Sequence, residues 1–431
     1  MRSRQIYRSS AFLLAIITSA AAAQAPTSRE RDLGLARLIG GTPGPMDAIT
    51  DVAGVEVGYR TLIRGEGKLV VGQGPVRTGV TIILPRGREN NDPVFANWYS
   101  YNGNGEMTGT TWIREGGFLE GPIGITNTHS VGVVRDGIIR WETRPGHSMF
   151  QPWQLPVAAE TWDGFMNDLN GFHVTYDDVF KAIDSARSGV VPAEGNVGGG
   201  TGMACFGFKG STGTASRRLP QEAGGYTVGV LVQCNTGSRR DLRIGGVPVG
   251  RELADTLLPC TASRDTTIHS RYFRRCPGFE VAGERTSMRI PFGGSREDGL
   301  LEEGQGSMIV VVATDAPLLP HQIARLLKRL PAGMGREGTV AGNGDGDIFI
   351  GFSTANAGAA SDTAPTARFI ANDRIAPILF AASQAIEAAI TNGLLAGQEM
   401  TGIDYHRLFA LPVGRLPAIF AKYGERLDVG R

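Results

Sequence analysis

Glycine is the residue that most constrains how this chain can fold. It supplies 61 of 431 residues, which is about twice its usual share of ~7%. The glycines follow no fixed period and alternate with short apolar runs, a distribution that excludes a collagen-like helix and a disordered chain. Because glycine permits tight turns and lets two backbones approach closely, the sequence predicts a globular protein with many turns and tightly packed backbone segments.

The apolar runs predict both strands and helices. The predicted strands are short and bounded by glycine: 54–59, 79–85, 121–134, 202–210, 226–235, 308–313 and 346–354. The predicted helices have apolar residues on one face: 175–189 ending at Gly189, 317–333, and 374–397 ending near Asn392 and Gly393. Since the strands are grouped, with helices before and after them, and neither a linker nor a repeat separates them, we expect one compact α+β domain of stacked sheets between helices.

The N-terminus has the pattern of a secretory signal peptide. Three arginines in "MRSRQIYRSS" precede the uncharged run "AFLLAIITSAAAAQA". We expect residues 1–23 to be removed and the product to be periplasmic or secreted, the alternative being an uncleaved anchor. No later segment reaches 18 consecutive apolar residues, and the formal net charge is +1. The sequence therefore predicts no membrane contact and gives no electrostatic argument for nucleic acid as a partner.

The four cysteines would lie in an oxidising compartment. Cys260 and Cys276 flank a polar, basic stretch and are candidates for a disulfide, within a region, 258–297, that has the character of an insertion. Cys205 and Cys234 lie in apolar, glycine-rich segments and are interpreted as small core residues. Neither a CxxC spacing nor a Cys/His cluster occurs, so we expect no metal site.

The glycine-rich stretch "GNVGGGTGMACFGFKG" permits two interpretations. A dinucleotide site needs a strand before the glycines and a helix after them, whereas here the following residues predict a strand. No Gly-Lys-Ser/Thr for a phosphate loop is present either. Close backbone packing is the favoured interpretation, and no cofactor is expected.

The segment "GQGS" directly before the predicted strand 308–313 is either a turn or a site of self-cleavage. If the bond between Gly306 and Ser307 were cut, Ser307 would carry a free α-amine, a group with a pKa of about 7.7–8.0 in model peptides. Such an amine can act as the general base for its own hydroxyl group near neutral pH. Glycine would let the backbone adopt the strained geometry that exposes the Gly306 carbonyl group to the Ser307 hydroxyl.

A second candidate for catalysis is "GNGDGDIFIGFS". Asp345 and Asp347 are two residues apart on the approach to a strand, so their carboxyl groups share a face and can enter one pocket. Two such carboxylates repel each other unless a cation or an ammonium group lies between them. The alternative is an ordinary hairpin turn, and a calcium loop lacks the spaced ligands.

Six segments occur in one order along the chain: "AITDVAGVEVG", "GNGEMTGTTWI", "GPIGITNTHSVG", "GNVGGGTGMACFGFKGSTGTASR", "GSMIVVVATDAPLLPHQIARL" and "GNGDGDIFIGFST". Together they resemble the DmpA-type aminopeptidases, a family that includes L-aminopeptidase/D-amidases and β-peptidyl aminopeptidases. The resemblance implies a four-layer αββα sandwich similar to the N-terminal-nucleophile hydrolases. It also implies a precursor that cleaves itself before Ser307, giving an α chain (24–306) and a β chain (307–431) that stay associated.

The resemblance further implies a homo-oligomer, commonly a tetramer of αβ units, without metal or organic cofactor. The implied reaction releases N-terminal residues from short peptides, amides or esters through an acyl-enzyme on Ser307. There are two alternatives to this reaction. The same fold could act mainly as a D-amidase/esterase or a β-peptidyl aminopeptidase, or the protein could be a catalytically impaired periplasmic binding protein.

Site residues carried over from the family match in part. Asn235, in "LVQCNTG", matches an asparagine that donates to the oxyanion. Asp345 occupies the position of a serine and Asp347 that of a glutamate, so rate and substrate preference can differ from the family pattern. Trp162 occupies the position of a tyrosine that contributes its hydroxyl group, and its indole N–H is the replacement donor. Glu160 is a candidate for binding the free amine of the substrate.

Overall fold

Strands bounded by glycine build two sheets that lie face to face. The computed structural model describes residues 29–261, Cys276, 306–361 and 363–428. The predicted signal peptide, residues 1–23, lies outside these residues, as does most of the predicted insertion 258–297.

The elements are numbered in chain order. The strands are β1 Glu56–Arg64, β2 Val76–Leu84, β3 Val94–Ser100, β4 Phe118–Leu119, β5 Ile123–Asn127, β6 Val157–Thr161, β7 Thr212–Arg218, β8 Thr227–Asn235, β9 Cys260–Thr261, β10 Ser307–Thr314, β11 Ile348–Ser353, β12 Met400–Thr401 and β13 His406–Leu408. The helices are α1 Ala36–Ile39, α2 Thr110–Gly116, α3 Val131–Glu142, α4 Tyr176–Asp184, α5 Val249–Glu252, α6 Pro320–Leu327, α7 Leu330–Glu337, α8 Ala376–Leu395 and α9 Leu416–Lys422.

The larger sheet has six strands in the order β4-β3-β11-β10-β8-β7. Its central strand β10 runs parallel to β11 and antiparallel to β8. A second sheet has four strands in the order β1-β2-β5-β6, and β9, β12 and β13 form a small third sheet. Since β6 lies across from β10 and β8, the end of β6 and the start of β10 can contribute to one site.

Three apolar cores separate four layers. Along β10, Val310 packs in the core under helices α6, α7 and α8, whereas its neighbour Val311 packs in the core between the two sheets, as the alternation of a strand requires. The third core lies between the four-stranded sheet and helices α3 and α4, with Ile82 and Val134 among its members. The predicted αββα sandwich in one compact domain is confirmed.

Helix α8 is long and rich in apolar residues. Its length and composition would suffice to cross a membrane, but 83% of its most apolar window is buried inside the protein. It lies against β7 and β8. Its apolar surface is therefore occupied by the core of the sandwich.

Most predicted elements are confirmed, and the differences have local causes. Residues 202–210 do not form a strand, because a tight turn pairs Cys205 with Phe208 and the strand β7 begins only at Thr212. The predicted strand 121–134 is β5 followed by the start of α3, and the predicted helix 317–333 is divided into α6 and α7. Helix α4 ends at Asp184, before Gly189.

All four cysteines form disulfides. Cys260 and Cys276 are bonded, which confirms that pairing. Cys205 and Cys234 are also bonded, with their Cα atoms 5.4 Å apart, so their interpretation as unpaired core residues was wrong. Both sulfurs are buried as expected, but the bond ties the turn within the glycine-rich stretch to β8. Sequence spacing alone does not reveal this contact.

Candidate active site

Ser307 is the first residue of the central strand β10. The apolar residues that follow it in β10 are buried on both faces of the sheet. The strand therefore holds Ser307 at a fixed position at the end of the sheet. In the antiparallel register of β10 and β8, Ser307 lies directly opposite Asn235. Its exposed fraction is 6% in the continuous chain. Register thus brings together two site residues that are 72 positions apart in sequence.

Gly306 occupies a position that has no room for a side chain. A Cβ atom at this position would lie 2.0 Å from the carbonyl oxygen of Asn235 and 2.7 Å from the Cα atom of Thr236. The strained geometry expected for cleavage at this bond stays a prediction, and the close approach of β8 is a separate reason for a glycine here. The Gly306 carbonyl oxygen accepts a hydrogen bond from the backbone N–H of Gly346 at 3.0 Å. The bond between Gly306 and Ser307 therefore lies in a tightly enclosed position with its carbonyl group polarised.

Asn235 is held by hydrogen bonds at both ends of its amide group. Its Oδ1 accepts from the backbone N–H of Ala204 at 2.9 Å, and its Nδ2 donates to the carbonyl oxygen of Trp162 at 2.8 Å. An amide nitrogen carries two hydrogens, and among the described residues this is the one acceptor assigned to Nδ2. The second N–H is suited to a substrate oxygen.

The two aspartates lie beside the start of β10, in the loop that leads into β11. Asp345 accepts from the backbone N–H of Gly342 at 2.7 Å, and Asp347 accepts from Asn102 Nδ2 at 2.9 Å. Asn102 also accepts a hydrogen bond from the backbone N–H of Asp347. Both side chains are buried, and within the described part of the chain Oδ1 of each has no hydrogen-bond partner. Such unpaired buried oxygens are costly, and an ammonium group placed between them would satisfy both.

The pKa values of both carboxyl groups are raised. For Asp345 burial is the main cause, and the nearby backbone N–H groups of Gly342 and Gly306 oppose it. For Asp347 burial raises the pKa to about 7, the Asn102 amide opposes this, and the charge of Asp345 adds to it. The backbone N–H groups that act on Asp345 and Asp347 are those of Gly306 and Met308, the residues before and after Ser307, so both carboxyl groups lie beside the start of β10.

Glu160 lies on β6, near the loop that carries Asp345 and Asp347. Its Oε1 accepts from the backbone N–H of Glu106 at 3.1 Å, and its Oε2 accepts from the Thr128 hydroxyl group at 2.6 Å. Burial raises its pKa, and these hydrogen bonds oppose the rise. Gly105 lies close to both Glu160 and the loop, since a Cβ atom there would lie 3.4 Å from Glu160 Oε1 and 3.0 Å from Gly346 Cα.

Trp162 contacts the site through its main chain. Its carbonyl group holds Asn235, whereas its indole ring lies against Gly164 and the residue is 43% exposed. Donation by the indole N–H to an oxyanion remains a prediction. The contribution that the structure shows is the orientation of the Asn235 amide group.

Two residues that position the site were missed by the sequence analysis. Asn102 binds Asp347 through both ends of its amide group, and Thr128 binds Glu160. Both lie in or beside segments already quoted for the resemblance, "GNGEMTGTTWI" and "GPIGITNTHSVG". The signal that could have identified them is the presence of polar residues in those segments, since each buried carboxyl group needs a hydrogen-bond partner.

The glycine-rich stretch packs against backbone, as favoured. A Cβ atom at Gly199 would lie 2.7 Å from the carbonyl oxygen of Ile125, and one at Gly202 would lie 2.2 Å from that of Arg77. Among residues 29–261, 306–361 and 363–428, together with Cys276, no group of three His, Cys, Asp or Glu side chains has metal-binding geometry.

Similarity to known proteins is consistent with this geometry. The model of peptidase family S58 matches residues 47–408. The chain is 50% identical over 413 residues to the beta-peptidyl aminopeptidase BapA of Sphingosinicella microcystinivorans, with 95% of each chain covered. It is 40% identical over 418 residues to the beta-peptidyl aminopeptidase BapA of Sphingosinicella xenopeptidilytica, covering 95% of this chain and 96% of that one.

Solved structures show the same fold. The beta-aminopeptidase of Burkholderia sp. superposes with a TM-score of 0.74 at 40% identity, covering 93% of this chain and all of that one. The L-aminopeptidase D-Ala-esterase/amidase of Ochrobactrum anthropi, described as a variant of the Ntn-hydrolase fold, gives a TM-score of 0.73 at 40% identity, with 90% and 97% covered. The chain therefore belongs to peptidase family S58 and is a hydrolase, a serine aminopeptidase with an Ntn-hydrolase-type fold.

Proposed function

We propose that this protein is a self-processing β-peptidyl aminopeptidase whose nucleophile, Ser307, is freed by cleavage of its own Gly306–Ser307 bond. The observation that carries the proposal is the position of Ser307 at the start of β10, opposite Asn235 and between the two residues, Gly306 and Met308, whose N–H groups act on Asp345 and Asp347. The similarity to two β-peptidyl aminopeptidases across 95% of the chain supports the substrate class.

The self-cleavage step uses the polarised carbonyl group of Gly306. The Ser307 hydroxyl oxygen attacks the Gly306 carbonyl carbon, and the negative charge that develops on the carbonyl oxygen is stabilised by the N–H of Gly346. The C–N bond then breaks as the hydroxyl proton passes to the Ser307 nitrogen, which leaves an ester between the two residues. Water hydrolyses this ester, giving a carboxylate on Gly306 and a free amine and hydroxyl group on Ser307.

Turnover would use the new amine as general base. It takes the Ser307 hydroxyl proton while the oxygen attacks the substrate carbonyl group, and Asn235 Nδ2 donates to the resulting oxyanion. The proton passes to the leaving amine, and water then releases the acyl group. Asp345 and Asp347 would hold the Ser307 amine through their unpaired oxygens.

Glu160 is the proposed site for the free amine of the substrate. It is the remaining sequence-predicted acid at this loop, and its two hydrogen bonds fix the direction of its carboxyl group. A β-amino acid places its amine one carbon further from the scissile carbonyl group than an α-amino acid does. The separation between Glu160 and Ser307 would therefore select the substrate backbone.

The first experiment tests the nucleophile. Denaturing gel electrophoresis and N-terminal sequencing of the purified wild type should give two fragments, the smaller beginning at Ser307. Ser307→Ala should remain one chain without activity. Ser353→Ala, which removes a buried hydroxyl group on the neighbouring strand β11, should still be cut and active, and an uncut but active wild type would refute the proposal.

The second experiment tests the substrate class. We expect kcat/KM to be higher for β-alanyl p-nitroanilide than for the L- and D-alanyl compounds. A preference for either α-amino acid would refute β-peptidyl specificity while leaving Ser307 as nucleophile. A cut protein that hydrolyses none of these, nor the corresponding esters, would instead be an impaired binding protein.

We further propose a periplasmic or secreted location and a homo-oligomer of αβ units. The basic and apolar N-terminus and the two disulfides support the location, because disulfides persist in oxidising compartments. The oligomer rests on the family resemblance. Fractionation with N-terminal sequencing tests the first proposal, and light scattering of the purified protein tests the second.

A further inference from the structure

Lys209 is a buried lysine that the proposed mechanism does not use. Its side chain is fully buried, and its Nζ donates to two backbone carbonyl groups, those of Thr201 at 2.7 Å and Met203 at 2.6 Å. A buried amine is costly unless it is hydrogen-bonded.

The second of these contacts leads directly to Asn235. The carbonyl group of Met203 and the N–H of Ala204 belong to the same peptide unit, and that N–H donates to Asn235 Oδ1 at 2.9 Å. A hydrogen bond to the carbonyl oxygen of a peptide unit polarises it and strengthens the hydrogen bond that its N–H donates. Lys209 and Asn235 are thus joined through one peptide plane.

This link bears on catalysis because an asparagine amide can face either way. The oxygen and nitrogen ends have nearly the same shape, but only the nitrogen end stabilises an oxyanion. The Ala204 N–H can bind only the oxygen end, and the carbonyl group of Trp162 can bind only the nitrogen end. The direction of the Asn235 amide therefore depends on the orientation of the Met203–Ala204 peptide together with that of the Trp162 carbonyl group.

We propose that Lys209 is a positioning residue, which fixes the Met203–Ala204 peptide so that the Asn235 amide presents Nδ2 to the oxyanion. The inference rests on the proposed function, because it takes from it the role of Asn235.

The arrangement tolerates a change in the protonation of Lys209. Burial lowers its pKa to about 7, and the charge of Asp163 opposes this. Burial also raises the pKa of Asp163 to about 7. An ammonium group has three N–H bonds and a neutral amine has two, so both carbonyl groups keep a donor in either state.

The test is a double-mutant cycle between Lys209→Met and Asn235→Ala, with kcat and KM measured per cut chain. Loss of one oxyanion donor typically lowers kcat by about 10²–10³-fold. We expect Lys209→Met to lower kcat by about 10- to 100-fold, with KM changed less than about threefold. In the Asn235→Ala background it should lower kcat by less than about threefold, because the residue through which it acts is gone.

Arg239→Met is the matched control. Arg239 is also buried and donates to two backbone carbonyl groups of the same turn, those of Phe206 at 3.0 Å and Gly207 at 2.6 Å. Neither of those peptide units binds Asn235 in the described residues. The control should lower the melting temperature as Lys209→Met does, but should leave kcat within about threefold of wild type. An equal loss of kcat in both variants would overturn the proposal.

Other outcomes separate this proposal from the proposed function. A wild-type kcat in Lys209→Met, or equal losses with and without Asn235, would overturn the positioning role alone. A wild-type kcat in Asn235→Ala would overturn the oxyanion assignment as well. If Lys209→Met does not fold, Lys209→Gln, which keeps an amide donor, should show a smaller loss with the same dependence on Asn235.

A crystal structure of the Lys209 variant gives a readout that needs neither cutting nor turnover. We expect the contact between Asn235 and Ala204 to be lost or lengthened. An unchanged Asn235 with both of its hydrogen bonds intact would overturn the proposal.

Discussion

At the scale of single residues, the site depends on small or unpaired groups in enclosed positions. Gly306 fits where no side chain does, and within the described residues Asp345 and Asp347 each keep one buried oxygen without a hydrogen-bond partner. The chemistry of Ser307 and the two aspartates could be predicted from the sequence because it follows from residue type and spacing. The space around Gly306 could not, because it is set by the backbone of β8, far away in sequence.

Gly306→Ala should slow self-cleavage. The new methyl group would meet the backbone of Asn235 and Thr236, which is anchored in β8, so the Gly306 carbonyl group must shift relative to the Gly346 N–H and the Ser307 hydroxyl group. Overpacking costs about 1–3 kcal/mol, so we expect the half-time of cutting, followed by gel electrophoresis, to rise by about 5- to 150-fold.

Gly335→Ala is the control for this prediction. It adds the same methyl group where nothing lies within 4 Å, so cutting should proceed at the wild-type rate. Wild-type cutting in Gly306→Ala would show that the close approach is unimportant for the reaction.

At the scale of elements, strands and helices with clear apolar patterns were predicted well, and turns were not. Strands β8, β10 and β11 and helix α8 follow the predicted ranges closely. The turn around Cys205 was taken for a strand because its apolar residues fit a buried strand equally well. The disulfide to Cys234 and the hydrogen bonds of Lys209 determine its shape, and neither is a local property of the sequence.

A buried acid on α7, which contacts α8, should make the free energy of unfolding depend on pH. Glu337 is fully buried and accepts from the Thr391 hydroxyl group at 2.5 Å. Burial, together with the charge of Glu387, raises its pKa well above 4.5. The folded protein therefore keeps a proton that the unfolded chain releases, so stability is lost as the pH rises above about 4.5.

Glu337→Gln should remove that part of the pH dependence. Relative to wild type, its melting temperature at a fixed scan rate should rise between pH 5 and pH 8, since glutamine keeps an acceptor for Thr391 and has no proton to release. Glu115→Gln, an exposed acid on α2, controls for the loss of one acidic side chain. A constant difference between Glu337→Gln and wild type over this range would contradict the prediction.

At the scale of the whole molecule, the layers could be predicted because they follow from grouped strands between helices. The ion pairs that join the N-terminal segment to the large sheet could not be predicted from the sequence. Arg217 on β7 forms ion pairs with Glu30 at 2.9 Å and Asp47 at 3.2 Å, and all three side chains are buried. Arg29 pairs with Glu194 at 2.8 Å in the same region. Charge content alone does not reveal which charges are buried together.

Arg217→Met should destabilise the protein by about 3–5 kcal/mol, because it leaves the buried Glu30 without its ion-pair partner and removes one of the two cations that pair with Asp47. The measurement is the urea midpoint of unfolding at pH 7. Arg218→Met, the adjacent and exposed position on the same strand, should change stability by less than about 1 kcal/mol. Equal effects at the two positions would show that the buried cluster contributes nothing particular to stability.

The order of strands in the large sheet has a consequence for the proposed cut. Strands β10 and β11, which lie after the Gly306–Ser307 bond, are inserted between β3 and β8, which lie before it, so the two pieces are interleaved. Neither could dissociate without breaking hydrogen bonds along both borders and opening the central cores. Pieces from different molecules, for example isotopically light and heavy ones mixed after maturation, would not exchange under native conditions. Each active enzyme would keep for its lifetime the two halves of a single translation product.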